Sequence, residues 1–157
     1  MIRLEDITVI QAPIERCFDL ARSVEVHLAG NRHWGETAEA NGAGLLNRGD
    51  CITWRARHFG IRWRLTSEIT GMDRPTWFRD AQIRGPFGSM RHDHYFKPLA
   101  GGRTQMRDVF CFAAPIPVFG RLAEITFLGR NMLGLLRERN AVIKSIAESE
   151  EWRRYLS

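Results

Sequence analysis

The sequence predicts an α+β protein in which a curved antiparallel sheet wraps around one long C-terminal helix, with two short helices placed directly after the first strand. Three observations predict it. Residues 51–112 alternate apolar and polar side chains with the period of two that a strand imposes, and short Gly- and Pro-containing turns interrupt them. From Val118 to about Arg154, apolar residues instead recur at intervals near 3.5 residues. Between the first strand and the hairpins lie two short stretches of helical spacing. A strongly curved sheet needs its concave side filled, and the long helix has one apolar stripe to offer. Space left between them becomes an internal pocket.

The elements follow in order. Ile2 to Gln11 alternates as a first strand, and Ala12-Pro13 stops it. Pro13 suits the first turn of a helix, on which Ile14, Cys17, Phe18 and Ala21 share one face. Ser23 then caps a second short helix carrying Val24, His27 and Leu28. Residues 30–50 are glycine-rich and read as a loop, a short strand near Trp34 to Ala40, and a turn. The run GAGLLNRG has neither the spacing nor the strand-to-helix context of a nucleotide-binding loop.

The signal strengthens from Cys51 to Met72. Ile52, Trp54, Ala56 and His58 alternate with Thr53, Arg55 and Arg57; after a turn at Gly60, Ile61, Trp63, Leu65, Ser67 and Ile69 alternate with Arg62, Arg64, Thr66 and Glu68. This is a hairpin with one apolar face and one face of Arg and Thr. Trp77 to Ile83 forms the next strand, whose parity is ambiguous because Trp77 and Phe78 head opposite sets. We take Phe78 and Asp80 as inward. On the last two strands Met90, His92, His94 and Phe96 share a face, as do Thr104, Met106, Asp108, Phe110 and Phe112. The terminal helix carries Phe119, Leu122, Ile125, Met132, Leu136, Ile143 and Ile146 in its stripe. Gly129 and Gly134 weaken it or mark a bend or a close approach to the sheet, and Glu148 to Arg154 reads as a fraying tail.

Two histidines and one or two aspartates therefore face inward among aromatic and methionine side chains. Such a buried ionisable group must be hydrogen-bonded or neutralised. The cluster has a structural reading, with Asp108 fixing the tautomer of a histidine across strands. It also has a binding reading, in which a few placed polar groups orient a ligand in an apolar pocket. In an enzyme, His94 and Asp108 would be the acid–base pair, serving an aldol condensation or dehydration. His92 and His94 share a strand face as metal-binding histidines can, and a carboxylate could complete a site, but no further spaced ligand set accompanies them, so no metal and no cofactor is expected. The candidate pocket residues are Trp54, His58, Trp63, Phe78, Asp80, Met90, His92, His94, Phe96, Met106, Asp108 and Phe110. Alternation does not separate those that line a void from those that pack sheet against helix.

Composition narrows the function classes. A chain of 157 residues suits one domain, 1–157, with a single core. A hydrophobic fraction of 44% with 26% charged residues is that of a soluble globular protein. The net charge of +5 comes from scattered arginines, and no exposed aromatic set suited to base stacking accompanies them, so no nucleic-acid partner is expected. Cys17, Cys51 and Cys111 are odd in number and lack CxxC spacing, which argues against a disulfide framework. No signal pattern opens the chain and no apolar run approaches a membrane span. A cytoplasmic location is expected; nothing bears on oligomeric state.

Several ordered residues resemble one superfamily across nearly the full chain. They are Ala12-Pro13 with Cys17-Phe18, the run from Arg22 to Leu28, Gly49-Asp50 and the run from Thr53 to Gly60. Asp73-Arg74-Pro75, Gly85-Pro86-Phe87, His92-x-His94-x-Phe96, Asp108, Pro115 and Arg139-Asn140 complete the set. In this order the chain resembles the START/polyketide-cyclase-like (SRPBCC) superfamily, and its ligand-binding SRPBCC group in particular. The resemblance implies the helix-grip fold and a cavity for a hydrophobic or amphipathic small molecule, lipid-like or polyketide/aromatic. It does not imply a reaction, because lipid carriers, cyclases, dehydratases and oxygenase domains share the superfamily. Three expectations stand: a small-molecule binder, a cyclase or dehydratase, and a scaffold-like interaction domain with a filled core. The loops 30–49 and Gly85 to Gly88 are expected at the pocket rim.

Overall fold

The computed structural model describes residues 1–30, 35–40, 44–58, 61–113 and 121–156. Within them the chain runs β1 (Ile2–Ile10), α1 (Ile14–Ala21), α2 (Val24–Gly30), β2 (Thr37–Ala40), β3 (Cys51–His58), β4 (Ile61–Asp73), β5 (Trp77–Arg84), β6 (Ser89–Leu99), β7 (Arg103–Ala113), α3 (Arg121–Glu148) and α4 (Trp152–Leu156). The strands form one antiparallel sheet in the order β1-β7-β6-β5-β4-β3-β2. Every neighbouring pair except β1–β7 is also consecutive in sequence, so the sheet is a meander that closes by bringing the first strand back against the last.

The short helices form for the expected reasons. Pro13 stands at the start of α1 with φ −60°, and the helix buries Cys17, Phe18, Leu20 and Ala21. The Ser23 hydroxyl accepts a hydrogen bond from the Val26 N–H at 3.3 Å, capping α2. Phe18 then inserts edge-on between Phe78 and Phe96, with ring centroids 5.4 and 5.3 Å away. With Ile10, Leu20, Met106, Ile143 and Ala147, these rings make a solid core at the α1 end of the sheet.

The structure settles the ambiguous strand in favour of Phe78 and Asp80 inward. Trp77, on the outer face, donates its indole N–H to Asp93 at 3.0 Å and lies under the Arg79 guanidinium. Asp93 is 2% exposed although it belongs to the outer set, because Arg79 and Arg91 cover it as well. Between β4 and β5 the register shifts at Thr66/Ser67 and at Ile69/Gly71. At the second shift Gly71 gives room to the Trp77 ring.

Two expectations about the terminal helix need correction. The helical run is not continuous to Arg154: α3 ends at Glu148, and Trp152 to Leu156 forms a separate turn of helix. That turn does not fray away, since Trp152 receives the Arg16 guanidinium at 4.2 Å from its ring centroid and packs with Tyr155 against the core. Nor do the helix glycines mark close packing. A Cβ at Gly134 would meet nothing within 4 Å, and one at Gly129 only Leu4 at an ordinary 3.9 Å. The residues from Val118 to Gly120, Trp34, and the Gly60 turn lie outside the described residues, as do the side chains of Leu122 and Ile125. Among the described residues no helix is long and apolar enough to cross a membrane.

Candidate functional site

Away from the α1 core, sheet and helix part and leave a cavity of about 220 Å³. Its walls come from β3 and β4 (Ile52, Trp54, Trp63, Leu65), from the turn after β5 (Pro86, Phe87) and from α3 (Leu128, Met132, Leu135, Leu136). The expected rim contributes Glu36, Leu46, Pro86 and Phe87. Trp54 stacks on His27 of α2 at 3.9 Å between ring centroids, which fixes one wall. Trp63 faces Phe87 at 6.4 Å.

One wall is charged. Asp80 on β5 is the cross-strand partner of His92 on β6, and His94 that of Asp108 on β7. Strand pairing alone therefore brings four ionisable side chains from three strands to one patch of the concave face. Asp108, fully buried, anchors it. Its Oδ1 lies 2.9 Å from His92 Nε2 and 2.6 Å from His94 Nδ1, and its Oδ2 accepts from Asn140 Nδ2 of α3 at 2.8 Å. The other edges of both imidazoles turn toward Asp80: His94 Nε2 stands 3.2 Å and His92 Nδ1 3.8 Å from Asp80 Oδ2. Phe78 stacks on His94 at 4.1 Å, so the ring is held on its face as well as its edges.

The carboxylates and imidazoles adjust to one another. Burial works against the charged form of Asp108, but His94 and His92 outweigh it and hold this carboxyl well below its usual range. Asp80 is lowered in the same way, against its burial, by His94 and His92. His94 is raised: burial opposes its charge, and Asp108 and Asp80 overcome that. His92 is lowered, by burial first and by its neighbour His94 second. One imidazole favours the charged form and the other the neutral form.

Access separates these groups. The side chains of His94 and Asp108 are 2% and 0% exposed, while those of His92 and Asp80 keep 11% and 20%. Because Asp80 lies deep in the fold, that exposure is to the cavity. The sequence-predicted residues Trp54, Trp63, Phe78, Asp80, Met90, His92, His94 and Phe110 all line the space. Phe96, Met106 and Asp108 do not. The two apolar ones lie in the solid core near Phe18, and Asp108 sits behind the imidazoles. The side chain of His58 lies outside the described residues.

Two polar side chains of α3 belong to the superfamily resemblance but were not expected in the pocket. Arg139 lines the cavity at 8% exposure; its Nη2 donates to the Ala21 carbonyl at 2.9 Å, and its Nη1 lies 3.6 Å from Asp108 Oδ1 without a hydrogen bond. Asn140 is 1% exposed and ties Asp108 to Asp6 of β1. Their signal is periodicity, since 139 and 140 fall between the buried Leu136 and Ile143 at helical spacing.

No protein-family model matches the sequence, and no curated protein matches it either. Solved structures do. The protein TTHA0849 from Thermus thermophilus superimposes with a TM-score of 0.73 at 21% identity, over 93% of this chain and 99% of that one. A START superfamily protein from Mycobacterium smegmatis gives 0.68 at 13% identity, over 92% and 98%. The chain has the helix-grip fold. The di-domain ARO/CYC BexL from the BE-7585A biosynthetic pathway matches at 0.64 with 17% identity; 92% of this chain corresponds to 46% of that protein. At these identities the likeness is one of fold.

Proposed function

We propose that the protein binds a hydrophobic or amphipathic small molecule, lipid-like or polyketide/aromatic, in the cavity between sheet and α3. The observation that carries this reading is a pocket walled by apolar and aromatic side chains with one charged patch, Asp80, His92, His94 and Arg139. That composition is what a ligand with an apolar body and one polar end requires. A dry cavity of roughly 150 Å³ accepts benzene, so 220 Å³ suits a body of one or two fused rings better than a long acyl chain. The START superfamily and ARO/CYC names among the structural neighbours support the same class of ligand.

Mass spectrometry of molecules extracted from freshly purified protein tests this directly, and a discrete apolar compound is the expected result. Displacement of an apolar fluorescent dye gives a second readout. Ala56→Phe, which projects a ring into the space, should abolish dye binding while leaving the far-UV spectrum unchanged. Protein that yields no compound and takes up no dye returns the molecule to the filled-core scaffold.

A second reading rests on the imidazole–carboxylate patch. A cyclase or dehydratase would use His92 and Asp80 toward the substrate, with Asp108 and His94 behind them, since only the former pair meets the cavity with appreciable exposure. This shifts the acid–base role from the pair expected in the sequence. An enzyme of this kind should lose turnover of a carbonyl-bearing aromatic substrate in Asp80→Asn while still binding it.

A further inference from the structure

Asp108 faces both imidazoles: its Oδ1 is hydrogen-bonded to His92 Nε2 at 2.9 Å and lies 2.6 Å from His94 Nδ1 without a hydrogen bond there. The opposite nitrogens face the Asp80 oxygen, His94 Nε2 as a hydrogen bond at 3.2 Å and His92 Nδ1 at 3.8 Å. Two ring nitrogens and one carboxylate oxygen thus lie together. A single added proton serves one of these nitrogens and leaves the other facing a carboxylate. A cation serves all three at once.

We propose that Asp80, His92 and His94 bind one divalent first-row transition ion, zinc(II) or iron(II), at the charged wall of the cavity. One ligand atom from each residue lies within 4.8 Å of the others. Metal–nitrogen and metal–oxygen bonds of about 2.0–2.2 Å place neighbouring ligand atoms roughly 3.3 Å apart in a tetrahedron. The His94–Asp80 separation is 3.2 Å and the His92–Asp80 separation 3.8 Å, close to that spacing. Two histidines and one carboxylate are a donor set for zinc or non-haem iron, and three protein ligands leave coordination positions free. Those positions face the cavity, where Asp80 keeps its exposure.

The surroundings are those of a supported metal site. Histidine ligands are held by an acceptor on their second nitrogen, and here one carboxylate, Asp108, is hydrogen-bonded to His92 Nε2 and lies 2.6 Å from His94 Nδ1. Asn140 fixes Asp108 in turn, and Phe78 fixes the plane of His94. The third ligand was invisible in sequence spacing because it arrives from the neighbouring strand, through the Asp80↔His92 pairing. Two carboxylates, Asp80 and Asp108, face the imidazoles, with the Arg139 guanidinium 3.6 Å from Asp108 Oδ1, and the ion enters by displacing the proton that His94 otherwise holds.

The experiment uses the full chain, stripped with a chelator and dialysed. Cobalt(II) should produce a visible d–d absorption saturating at one ion per chain, and zinc(II) should displace it. His92→Ala and Asp80→Asn should each abolish the saturable absorption. Asp108→Asn should weaken affinity by roughly 10–100-fold, the effect of losing an outer-shell partner. Because Asp108 is buried and its variant risks misfolding, Asp80→Asn, whose side chain meets the cavity, decides the matter. Absence of a saturable signal overturns the proposal, and so does a signal that survives both ligand substitutions. Dye binding to the stripped protein is measured in parallel, so the metal site and the small-molecule reading fail separately.

Discussion

At the scale of single residues, much of the structure depends on what a position excludes. Gly71 sits where the β4–β5 register shifts, and a Cβ there would lie 2.5 Å from the Trp77 ring. The ring cannot retreat freely, because its indole N–H is bound to Asp93 and Arg79 lies over it. Gly71→Ala should therefore destabilise the fold by about 1–3 kcal/mol, read as a lower urea midpoint at unchanged slope. Trp77 also explains why the parity of its strand was hard to read. A large aromatic normally marks the inner face, but this one is satisfied outside by a buried aspartate. No rule of alternation anticipates Asp93, since its burial comes from arginine side chains folding over it.

At the scale of elements, the strands were legible and their depth was not. Period-two patterning put His92, His94 and Asp108 on the concave face, because a strand offers a side chain only two directions, while the parity of the Asp80 strand stayed open. It did not tell Phe96 and Met106 from Phe110. All three point inward, and the outcome depends on Phe18, a residue of α1 that fills one end of the sheet and leaves the other hollow. Arg139 and Asn140 were hidden for a related reason: polar side chains within a helix stripe read as interruptions until the partner they reach, Asp108, is known. The terminal helix carries its own prediction. Gly134 is exposed and a Cβ there meets open space, so Gly134→Ala should stabilise the protein by about 1 kcal/mol. Thermal denaturation measures it, and an unchanged or lower midpoint would count against the open surroundings described for that position.

At the scale of the whole molecule, α1 is fastened to the sheet by charge as well as by Phe18. Asp19 accepts from Arg22 at 2.8 Å and from Arg74 of the β4–β5 turn at 2.6 Å. Burial raises the Asp19 carboxyl, but hydrogen bonds from Arg74 and Arg22 outweigh it and the net effect is a lowering. A carboxyl lowered in the folded state contributes stability that is complete above its unfolded value and disappears as pH falls through the folded one. Asp19→Asn should therefore cost more stability at about pH 6 than at about pH 3, which lies below the unfolded carboxyl value and where that contribution is being lost. Urea titrations of both proteins at the two pH values check this; a gap that persists in acid would mean that the asparagine harms packing and not charge.

The strand that carries Asp80 is less firmly laced to its neighbours than β6 and β7 are to each other. Toward β6 its ladder extends only from Trp77 to Ala81, and toward β4 it is interrupted twice, whereas β6 and β7 pair without a break from Ser89 to Leu99. The two imidazoles consequently ride on a stiff panel and the cavity-facing carboxylate on a pliant one. Amide protons of β5 should exchange before those of β6, and anything that bridges Asp80 to His92 would act as a clasp across that seam, slowing their exchange without touching the backbone.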